Sequence, residues 1–256
     1  MANYIALYRY MKNRLILYWL LFCTSTSIAQ QKMRPVDELI NTADPGWALV
    51  KQWISEAKNK VEVLPADPAK AKEALYQTQV TTRSPMGAVI FETGGILVDN
   101  GWIRILGSGS ARLNRSLPGW NKGKTFANVG EAPTYLLIAD DAAGGFFALN
   151  GGGLGSYTGK IYYLAPDTLE WEAMDLSYTD FLLFCFNHHL DEFYKNLRWK
   201  SWKADVAKLD GNRAFNFYPF LWTKEGKDIN KNTRKDVPVE ELFSLMMDFR
   251  KQLGIK

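Results

Sequence analysis

Residues 134–174 read TYLLIAD (Thr134–Asp140), DAAGG (Asp141–Gly145), FFALN (Phe146–Asn150), a glycine-rich loop (Gly151–Gly159), KIYYLA (Lys160–Ala165), PDT (Pro166–Thr168) and LEWEAM (Leu169–Met174). Aliphatic and aromatic runs of four to seven residues alternate here with Gly, Asp, Asn and Pro clusters. That pattern predicts four consecutive strands, each closed by turn chemistry. Such an apolar sheet cannot stay exposed, so flanking helical segments must cover it. The fold class expected is α+β: one domain over residues 30–256, with a mainly antiparallel sheet covered by helices on one side.

Upstream, Val36 to Asn41 is expected as a helical turn. Asp44-Pro45 and Asp67-Pro68 pair a capping residue with a proline suited to a first helical turn. The helix after the first carries Trp47, Val50, Ile54 and Ala57 as one stripe, and the second turns Ala71, Ala74 and Leu75 inward. Val61 to Leu64 reads as a short strand between them. Met86 to Phe91 reads as a core strand. Asn100-Gly101 between Ile96–Asp99 and Trp102–Leu106 is a hairpin signal, because both turn residues tolerate positive φ. Ser108 to Ala132, polar and broken by glycine and proline, reads as a long surface loop of the kind that carries function.

Downstream, Ser177-Tyr178-Thr179-Asp180 has the form of a capping box ahead of the all-apolar Phe181–Phe186. Short helices are expected over Glu192–Leu197 and Trp202–Leu209. Ala214–Trp222 reads as an aromatic strand that Pro219 confines to an edge. Lys224–Lys235 reads as a solvated loop, and Pro238 opens a last helix with Val239, Leu242, Phe243, Met246 and Phe249 on one face.

The 256 residues carry 31 basic and 27 acidic side chains. Arg9, Lys12 and Arg14 lie in a stretch without acids, residues 1–29. Without that stretch, 28 of the 31 basic residues face 27 acidic ones, which is no electrostatic footprint for nucleic acid. Met11–Arg14 and the apolar run Leu15–Cys23 precede Ser27-Ile28-Ala29, as in a secretory signal cleaved after Ala29. Location in the periplasm or outside the cell is expected; a retained N-terminal membrane anchor is the alternative, and Met1 and Met11 both serve as candidate starts. The apolar run falls short of the roughly 20 residues a stable span needs, so no lasting insertion is expected after cleavage. Cys185 alone remains in the mature chain, too few thiols for a disulfide framework or a cysteine metal site.

Familiar catalytic patterns fail on inspection. Gly151–Gly155 and Gly159-Lys160 lack the spacing, hydroxyl and following helix of a phosphate loop, and Gly107-Ser108-Gly109 lacks the third glycine of a dinucleotide fingerprint. His188 and His189, the only histidines, are adjacent and have no second ligand pair at metal spacing. Cys185 sits one turn away between Phe184 and Phe186, as a buried inert thiol would. Glu170 and Glu172 alternate with Leu169 and Trp171, the pattern of a solvent-facing strand rather than a glycosidase pair. No cofactor, metal or catalytic residue is therefore assigned. Thr81-Thr82-Arg83-Ser84 places three hydroxyls around a guanidinium, a set able to hold a carboxylate or phosphate. Trp102, Asn150 and Gly151 are its expected companions at strand ends.

The strings L-I-N-T-A-D-P-G-W, T-T-R-S-P-M-G-A, G-G-I-L-V-D-N-G-W, G-G-F-F-A-L-N-G-G, A-P-D-T-L-E-W-E and F-Y-P-F-L-W-T resemble those of an uncharacterised bacterial family over Met33–Leu253. More distantly, Gly144–Phe186 resembles the SUKH superfamily, where strand, glycine loop, strand and a helix beginning S-x-x-D/E-F follow in order. That resemblance implies a SUKH-like α+β domain and an immunity-type role, binding a protein partner such as a toxin. An export signal and near-neutral charge depart from that pattern. The reading expected from the sequence is an exported, non-catalytic binding protein using Ser108–Ala132 and the aromatic edge Phe215–Trp222. The alternative is an envelope enzyme or small-ligand binder centred on Arg83.

Overall fold

The structure is a computed structural model that describes residues 33–255; the expected signal segment lies outside the described residues. Seven strands form one antiparallel sheet in strict chain order. They are β1 (Val61–Pro65), β2 (Thr93–Val98), β3 (Ile103–Leu106), β4 (Tyr135–Asp141), β5 (Phe146–Asn150), β6 (Ile161–Leu164) and β7 (Trp171–Ala173). The four strands expected in residues 134–174 are β4 to β7, paired as successive hairpins. The Asn100-Gly101 hairpin joins β2 to β3, with Asp99, Asn100 and Gly101 all at positive φ.

The helices are α1 (Val36–Leu39), α2 (Trp47–Ser55), α3 (Pro68–Thr78), α4 (Pro85–Glu92), α5 (Leu117–Asn121), α6 (Tyr178–Asn187), α7 (Leu190–Phe193), α8 (Trp202–Val206) and α9 (Val239–Gln252). Asp67 caps α3 through Ala69 and Lys70 amides, and the Ser177/Asp180 box on α6 is complete. A separate two-stranded ribbon, β8 (Arg213–Tyr218) with β9 (Thr233–Pro238), precedes α9.

Four expectations are corrected. Met86–Phe91 is helix α4, not strand: Ser84 Oγ accepts the Gly87 amide, and Pro85 fills the first turn. An apolar run buried on every side has no readable period, so only its cap and proline betray the helix. The Ser108–Ala132 segment is no mere surface loop, since Ser108, Leu113, Leu117, Trp120 and Asn121 are buried and α5 lies within it. Part of the charged 224–235 stretch belongs to β9, whose mixed polar pattern suits a ribbon with little core behind it. Cover is also two-sided. Adjacent strand residues point to opposite faces, and Phe146 meets Phe243 of α9 and Trp120 of α5, while Phe147 meets Phe181 of α6.

One polar device ties the 108–132 segment to the sheet. The β4–β5 register shifts between Leu137 and Ala139, interrupting the ladder. Beside this shift buried Asn121 binds the Leu137 backbone: its Oδ1 accepts the Leu137 amide at 2.8 Å and its Nδ2 donates to the Leu137 carbonyl at 2.8 Å. Both groups would otherwise be buried and unsatisfied, at about 1–3 kcal/mol each.

A second device is ionic. Arg104 of β3 lies with Asp140 of β4 in the interior, their side chains 2% and 1% exposed. Arg104 Nε donates to Asp140 Oδ1 at 2.5 Å, and its other nitrogens donate to the carbonyls of Arg213 and Asp141. Arg115 completes the set, donating to Asp140 Oδ2 at 2.5 Å and to the Gly211 carbonyl at 2.9 Å. One carboxylate thus holds together the sheet, the 108–132 segment and the start of the β8–β9 ribbon.

Candidate functional site: an apolar cavity beside the glycine loop

The proposed ligand residues fall into three settings. Thr82 is buried; its hydroxyl accepts the Asn41 amide at 2.7 Å and bridges two chain segments. Ser84 is occupied as the α4 cap and donates to the Thr81 carbonyl. Arg83 is exposed and lies 3.3 Å from Asp44, itself 75% exposed, a pair worth about 0–1 kcal/mol. Trp102 is sealed at 0% exposure among Tyr194, Trp199 and Trp202, with the Arg198 guanidinium 4.8 Å over its ring. It adjoins Ile103, which pairs with Asp141. Asn150 pairs with Tyr135, at the opposite end of β4. Trp102 and Asn150 therefore sit at opposite ends of the sheet and form no common site.

At the Asn150 end lies a cavity of about 280 Å³. Val80 and Met86, on either side of Thr81–Ser84, line it, but those four residues do not. Leu117 and Pro118 of α5, Phe126, Pro133, and the cross-strand pair Leu136 and Leu149 supply most of the wall. Asn150, Gly151, Thr158 and Gly159 of the glycine loop close one side. Val80, Phe126, Leu136 and Leu149 are only half-buried, so this apolar surface still faces solvent within a concavity.

The glycine loop is built by Asn150. Its Nδ2 donates to the Gly155 and Tyr157 carbonyls, and its Oδ1 accepts the Gly152 and Leu154 amides, between 2.7 and 3.1 Å. Two donors and two acceptor sites are thereby spent, leaving the amide nothing to offer a ligand. Gly151 permits the close approach of the 133–134 backbone, since a Cβ there would sit 2.5 Å from the Pro133 carbonyl oxygen.

Among the described residues that line the cavity, Glu131 is the ionisable one. Its Oε2 accepts the Ala127 and Asn128 amides and its Oε1 accepts Asn128 Nδ2 at 2.7 Å. The Asn128 amide, followed by the Asn128 side chain and the Ala127 amide, holds this carboxyl below the usual carboxylate range. Glu131 is thus a fixed negative charge beside an otherwise uncharged wall. Its position was not legible from the sequence, because residues 126–133 pack beside β4 and β5 only in three dimensions.

Other candidate groups are committed elsewhere. Asp141 is buried, accepts the Ala143 and Gly145 amides and the Tyr163 hydroxyl, and shapes the β4–β5 turn. Burial raises its pKa, against the opposing Gly145 amide, Tyr163 hydroxyl and Arg104 charge. Burial also pushes the Cys185 thiol well up, as expected of an unreactive thiol. His188 ends α6 stacked on Phe184 at 4.8 Å, and His189 precedes α7; both are exposed. Glu170 and Glu172 are exposed as expected. Among the described residues no group of three or more His, Cys, Asp or Glu could hold a metal ion, and no helix is long and apolar enough to cross a membrane. A wider concavity, about 610 Å³, is open and polar, with Asp205 and Asp236 already paired to Arg234 and Arg213.

Residues 36–242 match a family model described as a protein of unknown function, DUF2625. The chain belongs to the DUF2625 family. It is 45% identical over 218 residues to the uncharacterised protein YbfG of Escherichia coli K12, covering 85% of this chain and 98% of that relative. It is also 45% identical over 208 residues to an uncharacterised protein of Haemophilus influenzae, covering 81% of this chain and 91% of the relative. The matched family segment, 36–242, spans the seven-stranded sheet, the 108–132 segment, the glycine loop and the cavity.

Proposed function

We propose that this DUF2625 protein is an exported binding module that holds a small, mainly apolar ligand in the cavity beside the glycine loop and performs no bond-making of its own. The carrying observation is that cavity: about 280 Å³, walled by Val80, Met86, Leu117, Phe126, Leu136 and Leu149, with one carboxylate at its edge. Ligand pockets are typically concave, apolar and supplied with few polar groups. The small-ligand reading therefore moves from Arg83 to the Glu131–Asn150 end of the sheet. The export element of the proposal rests on residues 11–29 and is checked by the mature N-terminus, expected at Gln30 by mass spectrometry.

The test is to fill the cavity. Leu136→Trp puts an indole where leucine now borders open space. Overpacking a closed core costs about 1–3 kcal/mol; a true void absorbs the ring with little loss of melting temperature. The variant should keep its fold and lose binding of 4-phenylbutanol, a neutral apolar probe, in ligand-observed NMR. A folded variant that binds the probe like the wild type would sink the proposal.

A protein partner of immunity type is the second reading. The SUKH-like order of strand, glycine loop, strand and Ser177-x-x-Asp180-Phe181 supports it, as does the aromatic edge: Tyr218 is 71% exposed beside Phe220, which stacks on Trp222 at 4.4 Å. Co-purification with the product of the adjacent reading frame, lost in Tyr218→Ala, would favour that reading over the cavity.

A further inference from the structure

We infer that the cavity selects ligands that join an apolar body to a protonated amine, with Glu131 receiving the ammonium group; this rests on the cavity being the ligand site. The apolar part follows from the walls. A void of about 150 Å³ lined by aliphatic and aromatic side chains accepts benzene. One of about 280 Å³ accepts a ring with a short chain.

The charge preference follows from what lines the cavity and from what does not. Among the described residues, the lining contains no lysine, arginine or histidine, so a carboxylate or phosphate entering it would lose water and meet no cation. Glu131 is its one charged member. That carboxylate is pre-organised rather than free to swing, because the Ala127 and Asn128 amides and the Asn128 side chain fix both oxygens. Three acceptor positions are thereby used. A carboxylate offers about four, so capacity remains for one ammonium donor. The same hydrogen bonds favour the ionised form and hold the carboxyl below the usual carboxylate range.

The polar alternatives inside the cavity are weaker. Asn150 has spent its amide on the loop, and Thr78 donates its hydroxyl to the Ala74 carbonyl. Gln77 donates to Glu73, and Thr158 adds one hydroxyl to the lining. A neutral ligand would therefore gain burial and at most a neutral hydrogen bond, whereas an amine gains burial together with a charge-assisted hydrogen bond. Because Glu131 is exposed, the added selectivity is that of an exposed ion pair, about two- to fivefold in Kd.

The experiment compares three probes of one size on the full chain: 4-phenylbutylamine, 4-phenylbutanol and 4-phenylbutanoate, by ligand-observed NMR at pH 7. The expected order of affinity is amine, alcohol, carboxylate. In Glu131→Gln the amine should fall to the level of the alcohol, which itself stays within about twofold of the wild type. Raising sodium chloride from low to high concentration on the wild type should erase the amine advantage and leave the alcohol unchanged, a readout that needs no variant. If the amine shows no advantage, or keeps it in Glu131→Gln or at high salt, the amine inference is overturned while the cavity reading stands. If none of the three binds, both are overturned.

Discussion

Replacing Asp140 by alanine probes the ionic clamp that ties the 108–132 segment to the sheet. Asp140 is 1% exposed and is the carboxylate partner of both Arg104 and Arg115, whose side chains are 2% and 10% exposed. Removing it strands two guanidinium groups in the interior, though each keeps a backbone carbonyl partner. Breaking a buried pair in this way costs about 3–5 kcal/mol, chiefly through the uncompensated charge left behind. A domain of this size has a urea m-value near the top of the usual range, about 3 kcal/mol/M, so the midpoint should fall by roughly 1–1.7 M. Tryptophan fluorescence reads the transition directly, with nine Trp in the chain. The triple variant R104M/D140L/R115M removes the three clamp charges together and should recover at least half the loss, since apolar replacement of a buried ion cluster is often close to neutral. A loss below about 1 kcal/mol for Asp140→Ala, or a triple variant no more stable than the single, would refute the clamp argument.

Further outcomes follow from the same contacts. Asp141 has a folded-state pKa above its ordinary value of 3.8, so its carboxyl costs stability as pH rises from that value through the raised one. Wild type minus Asp141→Asn, measured by urea unfolding from pH 4 to 8, should therefore decline with pH; a rise would contradict the burial argument. Asp205 is the opposite case, held below 3.8 first by the Trp199 indole N–H, so its contribution is present at neutral pH and disappears on acidification through the folded pKa. Wild type minus Asp205→Asn should increase from pH 2 to 6. Gly145→Ala places a Cβ 2.2 Å from the Tyr163 hydroxyl and 2.5 Å from Asp141 Oδ2, and should lower the melting temperature by several degrees, read by calorimetry. Arg83→Ala, which loses only the exposed pair with Asp44, should change stability by less than about 1 kcal/mol and leave probe binding unaltered.

Local chemistry carried much of the architecture. Apolar runs punctuated by Gly, Asp and Pro placed β4 to β7, Asn100-Gly101 placed the β2–β3 hairpin, and Ser177 with Asp180 placed the start of α6, because each signal acts within a few residues of backbone. The Met86–Phe91 run did not declare itself, since burial on all sides erases the period that separates helix from strand. Only packing decided that α4 forms there, that cover lies on both faces of the sheet, and that Asn121 anchors the 108–132 segment on Leu137 of β4. The candidate site divides the same way. Asn150 and Gly151 were visible as punctuation, but Glu131, Phe126 and Val80 meet them only because antiparallel pairing returns distant segments to one end of the sheet. Charge and shape at that end arise from residues far apart in the chain, and local sequence preferences have no term for such neighbours.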